Sequence, residues 1–167
     1  PAPTAEQARA KAAEEERKLE AAKEQEVTAR RDRALLASYT TEAEIDLARA
    51  RAIATVESQI QSAQAYLAQL TKRKTELDAR KAKLGDSPMP PQLERESASV
   101  DAEYAKNSDL VVQKQRELAA VTARYDGDKQ RWRELKAQQD SNAAAAASGN
   151  RVASPAPAAP PSAPAKK

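Results

Sequence analysis

The sequence predicts an all-α chain: an antiparallel coiled-coil helical hairpin, with an additional N-terminal charged helix and a disordered C-terminal tail. Three observations lead there. Of the 167 residues, 32% are charged and 3% aromatic, with no Phe, so the large apolar side chains of a compact globular core are missing. Much of the 40% counted as hydrophobic is Ala, which favours helix strongly and buries little surface. Two long stretches then carry apolar residues at alternating spacings of three and four, the period of helices that pair along a seam.

The first element is the charged helix, taken as residues 1–37. Thr4-Ala5-Glu6-Gln7 is a capping box, in which the Ncap hydroxyl and the N3 side chain satisfy each other's backbone amides. From Ala5 to Ala37 there is no Gly or Pro, and mixed charges such as Glu14-Glu15-Glu16-Arg17-Lys18 pair one turn apart. Apolar positions are sparse (Ala8, Ala12, Leu19, Ala22, Val27), so this helix is polar nearly all round. Ser38-Tyr39-Thr40-Thr41 interrupts it, and Thr41-Glu42-Ala43-Glu44 is a second capping box that opens the hairpin, residues 41–139.

In the hairpin's first helix the seam is Ile53, Val56, Ile60, Ala63, Leu67, Leu70, Lys74, Leu77, Lys81 and Leu84, apolar except for two lysines. The turn spans 85–91: Gly85 suits the left-handed position after a helix, Pro88 and Pro90 cannot extend a helical ladder, and Pro91 fits the first position of the next helix. The return seam runs Ser97, Val100, Tyr104, Asn107, Val111, Lys114, Leu118, Val121, Tyr125, Asp128, Trp132 and Leu135. Gly127 lies off it.

A loop this short makes the two helices antiparallel, so facing seam residues have numbers with a constant total. A total of 181 sets Leu77 against Tyr104, Leu70 against Val111, Ala63 against Leu118 and Val56 against Tyr125. It matches polar Lys74 with Asn107 and Arg49 with Trp132 for a cation–π contact, although Asp78 then faces Asp101. The Ala/Pro-rich residues 140–167 are expected to be a disordered tail.

The function classes narrow by exclusion. With no His and no Cys, thiolate and imidazole catalysis, disulfides and soft metal sites are ruled out, and a two-helix hairpin offers no concave site in which to tune a carboxylate. The expectation is no enzyme, no catalytic residue, no cofactor or metal, and no small-molecule substrate. Glu42, Glu44 and Asp46 stand close together, and the ordinary explanation is acids complementing a helix N-terminus. The 28 basic and 25 acidic residues are mixed along the chain, so nucleic acid is not an expected partner. No apolar run approaches the ~20 residues of a membrane span, and the start at Pro1 without Met suggests a processed or trimmed chain.

What remains is a surface for protein. Leu35, Leu36, Tyr39 and Leu47 gather at the break between the first two helices, while Tyr66 and Leu110 stand beside the seam midway along the hairpin. These six are the candidate partner surface, with packing of the first helix onto the hairpin as the competing explanation for the group at the break.

Arg30-Arg31-Asp32-Arg33-Ala34-Leu35-Leu36, followed by Ser38-Tyr39-Thr40-Thr41-Glu42-Ala43-Glu44-Ile45-Asp46, resembles uncharacterised proteobacterial envelope proteins. In those a small N-terminal domain of unknown function precedes a charged helical region. The resemblance covers roughly residues 30–138 and implies a periplasmic address; the composition by itself leaves the cytoplasm open. The expected function is a structural or adaptor coiled coil that binds a protein partner or itself. A holdase-type chaperone is the alternative. The hairpin of an efflux adaptor is disfavoured, because β-rich segments do not flank the helices.

Overall fold

The computed structural model describes residues 2–152, and every regular element among them is a helix: α1 (Ala5–Ser38), α2 (Glu42–Leu84) and α3 (Pro91–Val152). Contacts divide the chain into two units. One combines the chain up to Asp32 with the part of α3 from Arg131 on, and the other runs from Arg33 to Gln130.

The helix boundaries follow the local chemistry. At the start of α1 the Thr4 amide donates to Gln7 Oε1 (3.0 Å) and the Gln7 amide donates to Thr4 Oγ1 (3.3 Å), so both arms of the capping box close. At α2 the Glu44 amide donates to Thr41 Oγ1 (3.4 Å), but the Glu44 carboxylate accepts from the amide of Thr40 (2.7 Å) instead of Thr41. The box thus reaches one residue further out and pins the link between α1 and α2. Gly85 ends α2 with φ of 54° and ψ of −123°, outside the left-handed helical region expected for it and in a conformation that glycine, lacking a Cβ, adopts readily. Pro91 begins α3 where its missing amide is not needed.

Within Arg33–Gln130, α2 and α3 form an antiparallel hairpin whose seam buries Val56, Ile60, Ala63, Leu70 and Leu77 from one helix and Ser97, Val100 and Val111 from the other. Leu70, Leu77 and Val100 make a continuous cluster with half-buried Leu93 packed on it. Ile53, Leu67, Leu84, Leu118, Val121 and Tyr125 are half-buried, while Tyr104 is exposed.

The register differs from the total of 181. Three ion pairs across the hairpin, Lys74–Asp101 (3.0 Å), Arg49–Asp126 (2.9 Å) and Asp46–Lys129 (2.8 Å), each join residues whose numbers total 175. The seam layers therefore total 174, a full heptad lower, which sets Leu77 with Ser97, Ala63 with Val111 and Val56 with Leu118. Two physical reasons select it. The last residue of α2 and the first of α3 come level, whereas 181 would leave the start of α3 overhanging by about 9 Å at 1.5 Å per residue. Asp101 also gains the Lys74 ammonium in place of Asp78. Arg49 pairs with Asp126, and the cation over the Trp132 ring is Lys136, 5.5 Å from its centroid.

Ser97 carries the cost of this register: its hydroxyl is buried opposite Leu77 without a hydrogen-bond partner.

In the other unit, Arg131 forks onto Asp32, Nε to Oδ1 at 2.9 Å and Nη2 to Oδ2 at 2.6 Å, while its Nη1 reaches Glu134 (3.2 Å). Trp132 and Leu135 are buried. Every residue from Ala5 to Thr28 is exposed, as is every residue from Ala137 to Gly149. The helix nevertheless continues from Asp140 to Val152, correcting the expected start of the tail, because Ala143–Ala147 is a run of the best helix former. The remaining expectation of disorder falls on residues 153–167, outside the described residues.

Candidate interaction surface

The apolar group at the α1–α2 break is split by its helical positions. Leu35, on the last turn of α1, is buried, which removes it from any partner surface; Leu36 and Tyr39 are half-buried. Tyr39 lies near Tyr125 and Asp128 of α3, and burial pushes its phenol pKa up. Tyr39, in the link that follows α1, thus lies against α3. Leu47 is different: it is 51% exposed, although it lies between Asp46 and Arg49, whose ion pairs bring α2 onto α3.

Ile45 anchors this junction and is fully buried, at 0% exposure. The seam pattern does not mark it, because it is flanked by Glu44 and Asp46 and precedes the regular seam. Its signal was present: Ile45 stands three helical turns before Val56 and on the same face. The neighbouring acids are engaged, Glu44 with the Thr40 amide and Asp46 with Lys129 through both carboxylate oxygens. Among the described residues, no three His, Cys, Asp or Glu are grouped to hold a metal ion.

Midway along the hairpin the structure brings Tyr66 and Leu110 together. Both are 38% exposed, and both line a shallow groove of about 420 Å³ with Ser62, Ala63, Asn107 and Lys114. The groove exists because Ser62 and Ala63 are small where α2 passes α3. The Tyr66 hydroxyl donates to the Glu103 carboxylate, a contact that raises the phenol pKa and ties the ring to α3. Lys74 is held charged by Asp101, which raises its pKa, and its ammonium lies 5.9 Å from the Tyr104 ring centroid. Val112 of α3 is exposed as well, a position the seam pattern does not mark.

Such a surface can hold another protein through apolar contact bordered by charge. No helix among the described residues is long and apolar enough to cross a membrane. Compared with family models, curated proteins and solved structures, the chain matches none.

Proposed function

We propose that this chain is a non-enzymatic coiled-coil protein of the bacterial envelope, placed in the periplasm, that holds a protein partner or a second copy of itself. One observation carries the reading: large apolar side chains, Leu47, Tyr66, Leu110 and Val112, stand out to solvent on a hairpin whose seam and interhelical ion pairs fix their positions. Contacts of this kind on a stiff frame suit holding and spacing. The periplasmic address is supported by the resemblance of Arg30–Asp46 to envelope proteins.

The test is capture by the tethered full chain from a periplasmic extract, with cross-linking, beside sedimentation of the chain alone. The reading predicts either self-association or capture of a defined folded protein, weakened by Leu47→Ser or Leu110→Ser. A chain that is monomeric and captures nothing beyond a scrambled helical control contradicts it. Suppression of aggregation of an unfolded client, with no folded partner, would put a holdase in its place.

A further inference from the structure

The two sides of the hairpin seam are not alike. On one side stand the residues that immediately precede seam positions: Gln59, Tyr66, Arg73 and Arg80 on α2, and Glu96, Glu103, Leu110 and Glu117 on α3. Their common side is fixed by contacts between them, Tyr66 with Glu103 and Arg73 with Glu96. The other side carries Gln64, Thr71, Ser108 and Gln115 and no large apolar residue at the corresponding positions. The large apolar residues that flank the seam directly, Tyr66 and Leu110, therefore lie on one side, at its centre, with charge toward the turn, while Val112 stands exposed beyond the other flank.

The charges are also ordered by helix. Toward the turn, α2 presents Arg73 and Arg80 and α3 presents Glu96 and Glu103. At the hairpin's middle, α2 presents Tyr66 and α3 presents Leu110, beside the groove left by Ser62 and Ala63. A second copy placed on this side, with the two-fold axis along the helices, lays each α2 on the other copy's α3 at equal height. Basic residues then meet acidic ones, and Tyr66 and Leu110 each meet the other. Every neighbouring helix pair is antiparallel in that arrangement, as in an up-and-down four-helix bundle, so the helix dipoles also oppose favourably. Reversing one copy end for end removes this match, because the arginines would then lie near Gln59 and the far end of α2.

From this complementarity we infer that the hairpin dimerises through the side bearing Tyr66 and Leu110, two copies forming a four-helix bundle with both turns at the same end. The inference rests on the reading above that the chain works by holding protein, and it names a second copy as the occupant of the central groove. The interface is built from apolar centre and charged border, the arrangement of residues that excludes water from a contact.

Sedimentation of the full chain at tens of micromolar should give a dimer. Leu110→Lys, at a position exposed in the single chain, should weaken dimerisation at least tenfold while leaving the helical circular dichroism of the monomer in place. Orientation is read by mixing single-cysteine chains, since the protein has no Cys of its own. A mixture of Gln59→Cys and Glu117→Cys chains should form a disulfide between copies, and a mixture of Gln59→Cys and Arg73→Cys chains should not. A monomeric wild type, an unaffected Leu110→Lys dimer, or linkage of Gln59→Cys to Arg73→Cys overturns the inference. A monomeric wild type that still captures a folded partner would do so without touching the wider reading.

Discussion

Helix α2 and the first 24 residues of α1, Ala5–Thr28, are both rich in Ala and charge, yet one is seamed and the other is bare. In α2, apolar side chains return every three or four residues and are buried against α3. In Ala5–Thr28 the largest ones, Leu19 and Val27, stand alone and exposed. Pairs one turn apart, such as Glu14 with Lys18 (2.7 Å), support that stretch, each contributing a few tenths of a kcal/mol. Helical propensity thus makes both segments helical, and only the regular spacing of Leu, Ile and Val gives a segment a place to pack.

The sharpest way to break this comparison is to truncate one leucine in each region. Leu77, 1% exposed, should cost about 2–5 kcal/mol on replacement by Ala. Leu19→Ala should change stability by less than about 0.5 kcal/mol. Chemical denaturation of the two variants measures both, and equal effects would erase the distinction. Across the same layer, Ser97→Ala should raise stability by about 1 kcal/mol, because it removes a buried hydroxyl with no partner. A destabilised Ser97→Ala would mean that the hydroxyl is satisfied.

A smaller effect sharpens the description of α1. The Arg131 guanidinium holds the Asp32 carboxyl below its ordinary value of 3.8. A carboxyl depressed on folding contributes stability above that value and loses it as pH falls through the folded value. Wild type should therefore lose more stability than Asp32→Asn between pH 4 and lower pH, read as a difference in melting temperature, with the two curves parallel at neutral pH. Curves that stay parallel throughout would remove the Asp32–Arg131 fork from the energetics of α1.

How much of this was legible follows from the same comparison. The spacing of Val56, Ile60, Leu70 and Leu77 marked a buried stripe, and the Gly85–Pro91 segment marked the turn, because both depend on local geometry. The register was not legible from the seam alone. Totals of 174 and 181 satisfy the same heptad pattern and differ only in which charges face and how level the helix ends are. Polar residues in the seam misled, since Lys74 reaches out to Asp101 instead of lying beside Asn107. Of the candidate surface, Tyr66 and Leu110 were readable as apolar residues off the seam. The burial of Leu35 was not, because it stands in a helix without a regular apolar spacing.

The central claim is the hairpin's register, on which the relative position of the exposed side chains Tyr66 and Leu110 depends. The most direct measurement pairs Val56→Cys with Leu118→Cys in one chain and, separately, Val56→Cys with Tyr125→Cys. The account predicts rapid closure of an intrachain disulfide in the first and none in the second. Closure of the second in preference to the first would contradict it.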